Sequence, residues 1–177
     1  MVSHLLQQSH VGCQAFLGGI SRNFENNFLI SETSAFMVVE ADEYDRSFLH
    51  LHPSIAIITS IDSDHLDIYK NLATVHEAFT SFTGNIVPQG SLIIKKGLEL
   101  PLKVPVDGNI YSYAVTEKAD FWASNLRLIN SLYHFDFNYP AGKINNLVLG
   151  IPGLYNVENA VAALAAAILA GATPEEV

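Results

Sequence analysis

The sequence predicts an α/β fold: a mostly parallel sheet flanked by helices, with a small antiparallel β subdomain over about residues 120–150. Three observations carry that reading. Phe36-Met-Val-Val-Glu40 and Ile55-Ala-Ile-Ile-Thr-Ser60 are short, near-continuous apolar runs, as expected of strands buried on both faces of a parallel sheet. A helical pattern from Leu72 to Ile86 is followed by a third such run, Gly90-Ser-Leu-Ile-Ile-Lys95, and strand–helix–strand at this spacing is the signature of a βαβ unit. From Leu132 to Tyr139 the pattern changes to strict alternation, which belongs to an antiparallel strand.

Each element has its own justification. Met1-Val-Ser-His-Leu-Leu-Gln-Gln8 reads as the tail of an amphipathic helix. It lacks the basic and long apolar regions of a signal peptide. Between Leu72 and Ile86 the residues Val75, Phe79, Phe82 and Ile86 recur on one helical face. Tyr133, Phe135, Phe137 and Tyr139 form one face of the alternating strand, expected to be packed, and His134, Asp136 and Asn138 the other, expected to be wet. Pro140-Ala-Gly-Lys143 is a turn, Ile144 to Leu149 the returning strand, and Phe121 to Arg127 a third strand of the same group. Val157 to Ala170 is apolar almost all round, which predicts a deeply buried helix, stopped at Gly171 by a left-handed glycine. Thr173-Pro-Glu-Glu176 looks like the opening of another helix. Both ends therefore read as interrupted, and the expectation is an internal segment of a longer protein, a single domain over 1–177 truncated at both ends.

Composition narrows the function. A chain of 177 residues buries a proper core without a disulfide or metal staple. Only 15% of residues are charged, against roughly 25% in a typical domain, which suggests that part of the surface is normally covered. The formal net charge of −9 argues against nucleic acid or an anionic membrane as partner. A phosphate-handling site here needs a divalent cation or positive charge from elsewhere. The single Cys13 cannot form an internal bridge, which points to a reducing, cytoplasmic setting, and no apolar run is long enough to span a membrane.

Three strings can carry chemistry. In Val38-Val-Glu-Ala-Asp-Glu-Tyr-Asp45, the carboxylates Glu40, Asp42, Glu43 and Asp45 follow a predicted buried strand. Open α/β sheets bind ligands outside the carboxyl ends of their strands, and crowded carboxylates attract hard cations. A solvated acidic loop accounts for the string equally well. Asp62, Asp64, His65 and Asp67 sit at the corresponding end of the next apolar run, expected to be a neighbouring strand. Two such loops can face one metal–phosphate group, although a histidine is an unusual magnesium ligand and a lone loop histidine is commonly just exposed. In Gly150-Ile-Pro-Gly-Leu-Tyr-Asn-Val-Glu-Asn159, Asn156 can serve as the helix N-cap. Paired with Asn159 it can also read the edge of a purine, since each amide is both donor and acceptor.

No G-x-x-x-x-G-K-[ST] phosphate loop, serine–histidine–aspartate elbow, zinc spacing or G-x-G-x-x-G motif is present. The order "VVEADEYDRSFL", "ITSIDSDHLDIY", "GLYNVENAVAALAAA" nevertheless resembles the central ATP-binding domain of the bacterial Mur ligases, over essentially the whole chain. Gly18-Gly19 followed by Asn23-Phe24 resembles the segment that precedes the acidic strand in that family.

The resemblance implies a P-loop NTPase-like fold and an ATP- and Mg2+-dependent ligase. It implies that Glu40 ligates the magnesium between the ATP β- and γ-phosphates, that His65 ligates a second magnesium, and that Asn156 and Asn159 lie on the adenine side. The family's phosphate loop would precede the helix at Met1. Tyr155 stands where a histidine is common, and no lysine lies between Lys70 and Lys95 to be carbamylated, which fits the branch that joins L-alanine to UDP-N-acetylmuramate. As partners the resemblance implies those two substrates, and it implies that the segment alone is inactive. Alternatives are a muropeptide-recycling or folylpolyglutamate-type ligase of the same superfamily, a metal-dependent phosphohydrolase, or a non-catalytic domain of this fold.

Overall fold

In the computed structural model, which describes residues 1–62 and 71–177, with the backbone alone at 44 and 45, the apolar runs at 55–58 and 91–95 pair in parallel as expected, whereas the run at 37–39 lies in another sheet with Met37 and Val39 exposed rather than buried on both faces. Among the described residues the strands are β1 (Gln14–Ser21), β2 (Asn26–Leu29), β3 (Met37–Val39), β4 (Ile55–Ile58), β5 (Ser91–Lys95), β6 (Asn109–Val115), β7 (Phe121–Ile129), β8 (Leu132–Tyr139) and β9 (Gly142–Leu149), with three α-helices. These are α1 (Val2–Gln8), α2 (Leu72–Gly84) and α3 (Leu154–Leu169), and a 3₁₀ turn covers Tyr44–His50. The chain divides into two compact units, Met1–Glu40 with Ala163–Val177, and Ala41–Ala162.

The second unit holds a six-stranded sheet in the order β4-β5-β6-β7-β8-β9. From β4 to β7 each neighbouring pair is parallel, and β7-β8-β9 is antiparallel. The antiparallel strands expected over about 120–150 are thus present, but as a continuation of the parallel sheet rather than a sheet of their own. Strand β7 makes this possible by pairing parallel to β6 through Phe121–Ala123 and antiparallel to β8 on its other side. Helix α2 starts at a capping box, in which Asn71 accepts from the Thr74 amide. It buries Val75, Phe79 and Phe82 against Ala56, Ile58 and Leu92, the face its periodicity predicted.

The polar face of β8 departs from expectation at Asp136, which is only 6% exposed. Two bulges explain it. Between Ser124 and Arg127 strand β7 has one more residue than β8, and between Ile144 and Leu147 strand β9 has one more. Asn125 and Asn146 occupy the bulges with φ of 52° and 55°, a left-handed conformation that asparagine tolerates. Both then turn toward Asp136: the Asn125 side chain donates to Oδ2 and the Asn146 amide donates to Oδ1 at 2.8 Å, while Lys143 Nζ sits 2.7 Å from Oδ2. The Lys143 contact first, then the two asparagine donors, hold this carboxyl down at about 2.

The first unit contains a separate three-stranded sheet, β2-β1-β3, with β1–β2 an antiparallel hairpin and β1–β3 parallel. Sequence reading expected β3 beside β4. Its ladder partner is instead β1, with Gln14–Phe16 in parallel register with Met37–Val39. Cys13, Leu6, Ala167 and Ala172 form the unit's core, with Val38 packed against it. Beyond Gly171 (φ 104°), which ends α3 as expected, Thr173–Glu176 forms a turn. Glu176 accepts hydrogen bonds from the Thr173 amide and from the His10 amide and ring, which hold its carboxyl at about 2.

Helix α3 is rich in alanine, the strongest helix former and a side chain small enough for close packing. From Ala160 to Ala167 every residue is buried, as the all-round apolar pattern predicted. No described helix is long and apolar enough to cross a membrane.

Candidate functional site

Glu40 follows β3 directly, and its backbone amide continues the ladder by donating to the Phe16 carbonyl at 3.2 Å. The side chain returns to β1, where the Gly18 amide donates to Oε2 at 2.8 Å. The contact is possible because Gly18 has no side chain. A Cβ there would stand 2.6 Å from Oε2 and 2.8 Å from Cδ. Glu40 is exposed, and among the described residues its Oε1 accepts no hydrogen bond. One oxygen is thus fixed by the protein and the other remains open. That arrangement suits Mg2+, which takes one or two carboxylates and keeps several waters.

The rest of the acidic string belongs to the second unit. The Asp42 carbonyl accepts from Ser47 Oγ at 3.0 Å and from the Phe48 amide at 3.3 Å, closing the turn. Phe48 is buried with its ring centroid 5.3 Å from that of Phe79 and 5.2 Å from that of Phe82, so the acidic turn is pinned to α2. The side chain of Asp45 lies outside the described residues. At the end of β4, Ser60 Oγ donates to Asp62, whose amide donates back to Ser60 Oγ at 3.1 Å. Asp64, His65 and Asp67 lie outside the described residues. Among the described residues no three of His, Cys, Asp and Glu come together as a metal-binding group.

The third string opens α3. Asn156 lies in the first turn of the helix, so it is not the N-cap; the helix already begins at Leu154, after Gly153. Its side-chain amide donates to the Pro152 carbonyl at 2.6 Å, which locks the Pro152-Gly153 turn. The φ of 99° at Gly153 requires glycine, and a Cβ there would stand 2.6 Å from the Tyr155 ring. Asn159 is exposed, and so is Tyr155, at 67%. Among the described residues, Asn156 thus has one N–H committed and no partner on its oxygen, and the Asn159 amide has no partner.

Two features of this end went unread in the sequence. Lys95, the last residue of β5, pairs with Glu158 at 2.7 Å and ties the sheet's C-terminal edge to the first turns of α3. Tyr113, the register partner of Lys95 on β6, is fully buried with its hydroxyl unpartnered among the described residues. Burial, and then the Glu158 charge, push that hydroxyl well above the usual range. The pair is 63 residues apart in sequence, and no local pattern signals it.

Parallel strands flanked by helices make this an α/β fold, a class in which ligands bind outside the carboxyl ends of the strands. The sequence profile described as "Mur ligase middle domain" matches residues 3–167, and the chain belongs to that family. It is 49% identical over 177 residues to a protein named UDP-N-acetylmuramate–L-alanine ligase from Phocaeicola vulgatus, covering 100% of this chain and 38% of that protein. A protein of the same name from Parabacteroides distasonis is 49% identical over 176 residues, covering 99% and 38%. The chain therefore spans well under half the length of these relatives. Among solved structures, UDP-N-acetylmuramate-alanine ligase MurC from Thermotoga maritima superposes with a TM-score of 0.79 at 24% identity, over 99% of this chain and 39% of that one. The UDP-N-acetylmuramate:L-alanyl-γ-D-glutamyl-meso-diaminopimelate ligase MPL from Neisseria meningitides gives 0.82 at 21%, over 99% and 58%. At these identities the likeness is one of fold.

Proposed function

We propose that the chain is the ATP-binding middle portion of a cytoplasmic UDP-N-acetylmuramate–L-alanine ligase. The observation that carries the reading is 49% identity along the entire chain to relatives of that name. In this reaction the lactyl carboxylate of UDP-N-acetylmuramate attacks the γ-phosphorus of ATP and ADP leaves. The amine of L-alanine then attacks the acyl phosphate, giving up a proton as phosphate departs and the amide forms.

The assignments within the chain follow the chemistry of each group. Glu40 and His65 are the residues that would hold magnesium, which supplies the positive charge a carboxylate needs in order to approach an anionic triphosphate. The Glu40 carboxylate fits the role as a hard oxygen donor fixed through one oxygen and open at the other. Asn156 and Asn159 present amides at the start of α3 to the adenine edge, with Asn156 oriented by its bond to Pro152. Lys95 holds the helix start through Glu158. The net charge of −9 fits an acidic domain that handles polyphosphate through metal rather than through its own cations.

Substrate dependence tests the proposal. The full-length enzyme is expected to release ADP only when UDP-N-acetylmuramate and L-alanine are both present. ADP release without an amine acceptor would favour a phosphohydrolase, and release with a preformed peptide in place of L-alanine would favour a recycling ligase.

A further inference from the structure

Gly18 and Gly19 are adjacent in β1, yet their surroundings are opposite. A Cβ on Gly19 would meet nothing within 4 Å, whereas one on Gly18 would stand 2.6 Å from Oε2, 2.8 Å from Cδ and 2.9 Å from Oε1 of Glu40. These are all three heavy atoms of the carboxylate, at distances that no real side chain tolerates. Neither glycine has a positive φ, so backbone conformation does not demand glycine at either position. What Gly18 provides is an unobstructed N–H, which donates to Oε2 at 2.8 Å, and the empty space in which the carboxylate rests.

From this geometry we infer that Gly18 is a positioning residue for the Glu40 carboxylate and thereby sets the strength of metal binding there; the inference rests on the proposed role of Glu40. The physical argument separates position from stability. A methyl group at Gly18 meets the free end of a flexible, exposed side chain, which swings away at little expense to the fold. Glu40 then loses both its N–H donor and its fixed orientation. Hydrogen-bond partners of metal-binding carboxylates are worth roughly 10- to 100-fold in metal affinity.

The test is a Mn2+ titration of the full-length enzyme with ADP, followed by electron paramagnetic resonance of the free ion, on wild type, Gly18→Ala, Gly19→Ala and Glu40→Gln. Gly18→Ala is expected to weaken Mn2+ binding by about tenfold or more, with an unchanged thermal midpoint, while Gly19→Ala matches wild type in both. Weakening by Glu40→Gln without any by Gly18→Ala would overturn the inference and leave the role of Glu40 standing. No weakening by Glu40→Gln would remove that role, and the inference with it. A marked fall in the thermal midpoint of Gly18→Ala would make Gly18 a structural glycine and would also overturn the inference.

Discussion

Asp136 receives three donors in the middle of a hairpin sheet: Lys143, the Asn146 amide and the Asn125 side chain. A carboxyl held at about 2 in the fold, against about 3.9 in an unfolded chain, stabilises the folded state at all pH values above about 4. That contribution disappears as pH falls from about 4 to about 2. Asp136→Asn replaces one acceptor oxygen by an NH2 group, which then faces Lys143 and Asn125. It is expected to destabilise the protein by about 2 kcal/mol at neutral pH. Thermal unfolding of both forms between pH 7 and 2.5 checks the sign: the gap should be constant above pH 5 and narrow below pH 4. A gap independent of pH would contradict the network. At this scale the sequence was partly legible. Alternation put Asp136 on the polar face, but nothing in it revealed that bulges at Asn125 and Asn146 would close over the carboxylate. Glu40 stands out as a candidate in the sequence because a carboxylate directly follows an apolar run. Its seat on Gly18 does not, because that contact joins residues 22 apart.

Helices α2 and α3 match their sequence patterns, whereas β1, β2 and β6 have no counterpart in the sequence reading. Helix α2 announces itself through Val75, Phe79 and Phe82, and α3 through its unbroken alanine-rich run. Strands β1 and β2 went unassigned because Gly18-Gly19 and the Arg22–Glu25 turn interrupt any alternation, so the partner of β3 was not foreseen. The 3₁₀ turn over Tyr44–His50 shows how an element without its own pattern is held by packing: Phe48 inserts against Phe79 and Phe82. Phe48→Ala is expected to destabilise the protein by about 3 to 5 kcal/mol. Phe16→Ala, at a residue 51% exposed, should lose less than about 1 kcal/mol by comparison. Thermal or denaturant unfolding of the two variants decides it. A Phe48→Ala protein as stable as Phe16→Ala would mean that the acidic turn is not anchored through this ring.

On the scale of the whole molecule, composition and charge narrowed the class, and motif order pointed to the family. A net charge of −9 argues against phosphate binding through an excess of this chain's own cations. The family match over residues 3–167 places the three strings in one evolutionary context that none of them carries alone.

The central claim is that Glu40 serves catalysis rather than folding. The most direct measurement is alanine-dependent ADP release by the full-length enzyme carrying Glu40→Ala, with its thermal midpoint measured in parallel. A metal ligand at the phosphates contributes several kcal/mol to the transition state, so turnover should fall on the order of a hundredfold or more, with the midpoint unchanged. Turnover equal to wild type would contradict the account.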